Sequence, residues 1–207
     1  MGIQKERMMK AKNRSLCCFL GVLVLVAVSR ICPAQQVREK KLALTQATTL
    51  KGKPSPRVAV LVAQWTRAKA WTREYLEKMP EDSFGFTPVP EVRSFAGQML
   101  HLAFWNFAFV DKATGQTSPY KELDLMRDEF KTKARTSKVV TESYDFVING
   151  LKGLSDAQLD EQLTMRNGAK VLRIERINDA YEHQTHHRGQ TVIYLRLKGL
   201  MPPTEPF

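Results

Sequence analysis

The chain has 207 residues, 43% of them hydrophobic, with 32 Lys and Arg against 21 Asp and Glu for a formal net charge of +11. That length holds one domain with a buried core, alone or with appendages. All three cysteines, Cys17, Cys18 and Cys32, fall within residues 1–34, so the rest of the chain has no disulfide, no thiol nucleophile and no cysteine for a zinc finger.

Residues 1–34 read as a secretory signal. Lys5, Arg7, Lys10, Lys12 and Arg14 form a positive leading region, Leu16 to Val28 is an apolar run of 13 residues, and Cys32-Pro33-Ala34 puts small residues at the −3 and −1 positions of a cleavage site before Gln35. A spanning helix needs roughly 20 apolar residues. The expected location is therefore secreted or periplasmic, with a membrane tether through an uncleaved signal anchor as the alternative. This segment holds 6 of the 32 Lys and Arg and 1 of the 21 Asp and Glu, so its removal leaves a net charge of +6. The remaining charges interleave, as in Arg73-Glu74 and Lys121-Glu122, which marks solvated helix faces and not a nucleic-acid footprint. No nucleic-acid partner is expected, and no membrane partner after cleavage.

Residues 35–56 are polar, with Lys40, Lys41, Lys51, Lys53, Pro54 and Pro56, and read as a flexible lead-in to a domain over 57–203. The first helical period follows, in Leu61, Trp65, Ala68, Thr72, Tyr75 with Leu76, and Met79. Pro80 ends it, and the prolines at 80, 88 and 90 make residues 80–93 a loop. Ser94 sits where an N-cap belongs, with Gly97 in the place that a full capping box would give to Glu or Gln. From Phe95 to Val110 the sequence is apolar on nearly all sides, as in a helix buried on several faces, yet it contains His101. An imidazole in such a place needs a hydrogen-bond partner or a metal.

Gly115 and Pro119 break the next stretch, and the charged run Lys121 to Arg135 is expected to form a short surface helix. Val140, Tyr144, Val147, Leu151 and Leu154 repeat at spacings of four and three, as in a bundle seam. Ser155-Asp156 caps a further turn and Asn167-Gly168 marks a break. The last helix is expected from about Leu172 to Lys198, with Gly199 at its C′ position and Pro202-Pro203 as a stop. Four long helices joined by loops imply an all-α four-helix bundle, a fold that builds metal sites from inward-facing side chains of different helices.

Three of the four histidines, His183, His186 and His187, lie in the last helix. Residues four apart on a helix differ by about 40° around the axis and roughly 6 Å along it, so His183 and His187 share a face and can present two imidazoles to one ion. His186 stands about 60° from His183 and 100° from His187, and its expected role is a hydrogen bond to solvent or a neighbouring helix. The zinc-protease signature is excluded, because Gln184 and not Glu follows the first His. Glu182 projects about 100° from His183, so no general base can be named from spacing.

The run His183-x-x-x-His187-Arg188-Gly189-Gln190, followed by Tyr194-Leu195-Arg196 and Gly199 through Pro203, resembles the final helix of the DinB/YfiT-like family of metal-dependent proteins. Val92-Arg93-Ser94-Phe95, with His101 and Trp105 on the helix after it, extends the resemblance, which runs over roughly residues 57–203. It implies an up-down-down-up four-helix bundle, often dimeric, with a divalent metal such as nickel, zinc, iron or manganese on three histidines. Carried over by position, these are His101, His183 and His187. The family includes S-transferases that use low-molecular-weight thiols and a thiol-dependent isomerase. Three imidazoles leave coordination positions open for water or a thiol. The expectation is an exported metal-dependent enzyme of hydrolase or thiol S-transferase type, acting on an unidentified small-molecule substrate and pairing as a homodimer; the alternative is a non-catalytic bundle that holds a metal or small ligand.

Overall fold

The computed structural model describes residues 55–205. The segment read as a signal, nearly all of the lead-in and the three cysteines lie outside the described residues. Four long helices make up the domain: α1 Pro56–Lys78, α2 Phe95–Thr114, α3 Lys133–Lys152 and, after the single turn α4 Asp156–Leu159, α5 Arg173–Leu197. Between α4 and α5 the short strands β1 Gln162–Thr164 and β2 Lys170–Leu172 form an antiparallel hairpin.

The helix ends follow local chemistry. Ser94 caps α2 by accepting from the Gly97 amide at 3.1 Å, and Gly115, at φ 72°, closes it five residues beyond the apolar run. Thr132 caps α3, its side chain accepting from the Arg135 amide at 3.3 Å. Ser155 and Gln158 form a reciprocal capping box on α4. α1 is different. Its first turn is capped from α4, because Asp156 accepts from the Ser55 hydroxyl at 2.7 Å and from the Val58 amide at 3.2 Å, and Arg57 pairs with Asp160 at 2.7 Å.

The expected surface helix over Lys121–Arg135 does not form. This stretch is a series of turns with one 3₁₀ turn, Asp128–Phe130, and α3 starts only at Lys133. Two causes are visible. The Asp124 carboxylate accepts the Met126 amide at 2.9 Å, a local bond that competes with helix, and Leu125 and Phe130 are drawn into the core. The break at Asn167-Gly168 is the turn of the hairpin. Gly168 has φ 82°, a left-handed conformation that favours glycine, and Asn167 Oδ1 accepts from the Ala169 amide at 3.1 Å.

Side-chain contacts fix the topology. The end of α1 meets the start of α3 where Lys133 Nζ donates to the Met79 carbonyl at 2.7 Å, and its start meets the chain just after α3 at Asp156, so α1 and α3 are antiparallel. Asn106 reaches Ser143 at 3.1 Å, and further along a Cβ on Gly150 would stand 2.7 Å from Thr114 Cγ2, so α2 and α3 run in the same direction. Gln98 meets Tyr194 while Phe109 lies under Arg176, so α2 and α5 are antiparallel. Trp65 packs on Tyr181 and Trp71 under Arg188, so α1 and α5 are parallel. The order in space is α1, α3, α2, α5, and the bundle is up-down-down-up.

The largely apolar core holds several buried polar groups, and one set of them forms a connected layer. Tyr144 donates to Gln184 Oε1 at 2.7 Å, with the Thr72 hydroxyl 2.7 Å from its own, and burial pushes Tyr144 up to about 12, so it stays a donor. Arg188 Nη1 also donates to Gln184 Oε1, at 2.8 Å. The Arg188 side chain, only 3% exposed, closes a two-point ion pair on Glu205 at 2.9 and 3.0 Å, and this fastens the segment after α5 to the bundle.

Candidate metal centre

The antiparallel crossing of α2 and α5 brings three histidines together. His101 comes from the first half of α2, while His183 and His187 are one turn apart on α5. Their ring centroids are 5.2 Å apart for His101 and His183, 4.6 Å for His101 and His187, and 4.4 Å for His183 and His187. One ring nitrogen from each forms a group whose members lie within 4.8 Å of one another. His186 is outside this group. It is exposed, and its Nε2 lies 2.9 Å from Gln190 Nε2. An amide nitrogen only donates, so His186 Nε2 accepts.

A hydrogen bond fixes the tautomer of one of the three imidazoles. His187 Nδ1 lies 2.9 Å from Gln98 Oε1. That oxygen can only accept, so Nδ1 carries the proton and the Nε2 lone pair is free. Gln98 Nε2 in turn donates to the Tyr194 hydroxyl at 3.3 Å, and that hydroxyl donates to the Arg93 carbonyl at 2.6 Å. His183 Nδ1 is buried without a hydrogen-bond partner. Trp105, 5.6 Å from the His183 ring, and Phe109, 5.8 Å from it, make an aromatic wall on one side.

Burial, reinforced by the nearby Arg93 charge and by neighbouring imidazoles, lowers all three pKa values. His101 falls to about 4 and His187 to about 3, and His183 also falls. At neutral pH the cluster is therefore three uncharged imidazoles with lone pairs available. This donor set fits a borderline divalent cation such as zinc, nickel or iron(II). The orphaned His183 nitrogen fits it too, since a buried polar atom without a partner is costly unless a ligand satisfies it.

Beside His187 the surface opens into a cleft of about 590 Å³, onto which Gln98, His186, Gln190, Arg93 and Glu91 also face. A larger depression, about 770 Å³, lies at the opposite end of the bundle near Thr114, Gly150 and Arg173 and has no histidine in its wall. Sequence reasoning missed the role of Gln98. The one signal for it was an amide set three residues before His101 in an otherwise apolar helix. Arg93 and Tyr194 entered the sequence reading only as part of a family resemblance.

The chain matches the family model described as the DinB superfamily over residues 64–191. It is 28% identical over 144 residues to the uncharacterized protein YjoA of Bacillus subtilis (strain 168), a match covering 67% of this chain and 89% of that protein. Among solved structures it is similar to the crystal structure of the DinB-like protein YjoA from Bacillus subtilis, with TM-score 0.56 and 21% identity over 71% of this chain and 95% of that one. It is also similar to a DinB-like protein from Bacillus cereus ATCC 10987, with TM-score 0.58 and 16% identity over 70% and 94% of the two chains. A conserved protein from Enterococcus faecalis gives TM-score 0.56 and 17% identity over 70% and 98%. At these identities the structural likenesses speak to the fold.

Proposed function

The chain belongs to the DinB superfamily, and on that premise we propose that it is a metal-dependent enzyme in which His101, His183 and His187 hold one divalent cation. The observation that carries this reading is the convergence of three uncharged imidazoles, one with a buried and unpartnered nitrogen. An open-sided divalent cation supplies Lewis acidity, able to polarise a substrate oxygen or to activate water or a thiol.

The protein's own residues supply the rest. Gln98 fixes the His187 tautomer, so that its Nε2 faces the site as an acceptor. Trp105 and Phe109 keep water from the α2 side of His183. His186 and Glu91 line the cleft beside His187 and are the groups placed to take up a proton there. The reaction class is a hydrolysis or a thiol transfer on a small molecule.

Elemental analysis and metal titration test the ligand set. His101→Ala, His183→Ala and His187→Ala are each expected to lose most metal affinity, and His186→Ala to retain near-stoichiometric metal. A site emptied by His186→Ala and left filled by His187→Ala contradicts the assignment. Turnover on a panel of esters, amides and thiol adducts, lost with chelator and restored with metal, tests the activity. The same reading has the protein act outside the cytoplasm, and the exported form should begin near Gln35 on N-terminal sequencing.

A further inference from the structure

We infer that Arg93 anchors the anionic group of the substrate at the three-histidine site, which makes the substrate a small molecule with a carboxylate or phosphate beside its reacting group. This rests on the metal-dependent reading above and adds to it a substrate class and the residue that selects it.

Three observations carry the inference. The first is position. Arg93, the residue before the Ser94 cap of α2, lines the same cleft as His187, His186 and Gln190. Its backbone is tied to the site through hydrogen bonds from His187 to Gln98, from Gln98 to Tyr194 and from Tyr194 to the Arg93 carbonyl. Its side-chain stem lies against the first turn of α2, where a Cβ on Gly97 would come within 3.3 Å of Arg93 Cβ.

The second is the lack of a counter-ion. Arg57, Arg173 and Arg188 each have a carboxylate within 2.7 to 2.9 Å. Arg93, itself exposed, has no carboxylate partner among the described residues; Arg67, Arg135, Arg166 and Arg196 have none either, but of these only Arg93 lines the cleft beside His187. Glu91 faces the same cleft but is exposed and does not pair with it.

The third is the charge of the site. Its three metal-facing groups are neutral imidazoles, with no carboxylate among them. A divalent cation there would keep its full charge, with the Arg93 guanidinium on the same cleft as His187. Such a cleft attracts an anion, and the planar fork of Arg matches a carboxylate or a phosphate in two-point fashion.

The test uses the full chain loaded with Co²⁺ and titrated calorimetrically with acetate and, separately, with inorganic phosphate. Wild type is expected to bind at least one of the two, and the preferred one identifies the oxyanion. Arg93→Gln should weaken that binding by about tenfold or more, Arg93→Lys, which keeps the charge but loses the two-point fork, should weaken it by less than Arg93→Gln does, and Glu91→Gln should tighten it. Co²⁺ affinity should stay the same or rise in Arg93→Gln, because a neighbouring positive charge has gone; a merely structural role would lower both affinities. Wild type that takes up Co²⁺ but binds neither anion, or an Arg93→Gln protein equal to wild type for both, overturns this inference alone. Wild type that takes up no Co²⁺ overturns the metal reading and this inference with it.

Discussion

Replacing Glu205 by Ala removes the carboxylate that faces the buried Arg188 guanidinium. The Arg188 side chain is 3% exposed and that of Glu205 20%, and the pair is held by two hydrogen bonds of 2.9 and 3.0 Å. Removing one partner of a fully buried pair costs about 3–5 kcal/mol, because the other charge stays behind without compensation. Here the loss should be smaller. Arg188 keeps its bond to Gln184 and its place over the Trp71 ring, and the partly exposed Glu205 position admits water once the carboxylate is gone. We expect Glu205→Ala to lower stability by about 2–3 kcal/mol, and Glu205→Gln, which keeps one acceptor, by about 1–2 kcal/mol. The assay is urea unfolding, read as a shifted midpoint at constant slope. A double-mutant cycle with Arg188→Met should show clear coupling. Glu205→Ala unfolding within about 0.5 kcal/mol of wild type would refute the reasoning, since exposed pairs contribute that little.

Gln98→Leu keeps the apolar volume of α2 but removes the acceptor that holds the His187 tautomer, and divalent-metal affinity in a competitive titration should fall about 10- to 100-fold; an unchanged affinity rejects the role given to Gln98. In metal-free protein His101 and His187 titrate at about 4 and about 3 when folded, below the ordinary 6.5. The unfolded chain then binds more protons over that range, so stability is full above about pH 6.5 and declines as pH falls toward 3. Urea midpoints at pH 7, 5.5 and 4.5 should decline in that order, less steeply in His101→Gln, and a midpoint that rises on acidification contradicts this. Gly150→Ala gains about 1 kcal/mol of helix propensity but drives a methyl to 2.7 Å from Thr114 Cγ2, an overpacking of about 1–3 kcal/mol. The midpoint should drop, and adding Thr114→Ala should restore it.

The long helices were legible because their apolar residues repeat every three or four positions and their ends carry recognisable signals, such as Ser94, Gly199 and Pro80. Burial of Trp65, Tyr144 and Leu151 follows directly from that period. The hairpin was not legible, because strands of three residues each are too short to show alternation. The charged run Lys121–Arg135 was misread as helix because composition does not reveal that Asp124 engages a nearby amide or that Phe130 turns inward. In the site, the i, i+4 spacing showed that His183 and His187 share a face. The bond from Gln98 to His187 spans 89 positions and depends on how α2 and α5 are set against each other. A single sequence does not state that register.

The spatial order α1, α3, α2, α5 also bears on how the chain folds as it is made. In an up-and-down bundle each helix can dock on the one before it as soon as both exist. Here α1 packs on α3 and α5 and not principally on α2, and the cap on its first turn comes from Asp156, 101 positions after Ser55. The stripe of Leu61, Trp65, Tyr75 and Leu76 therefore stays uncovered until α3 has been synthesised. Parallel neighbours at α1–α5 and α2–α3 raise the mean sequence separation of contacts, and with it the loop-closure entropy that precedes docking. Folding should accordingly be slower than in a bundle of sequential hairpins, with the apolar face of α1 the surface most open to aggregation or chaperone capture in the interval.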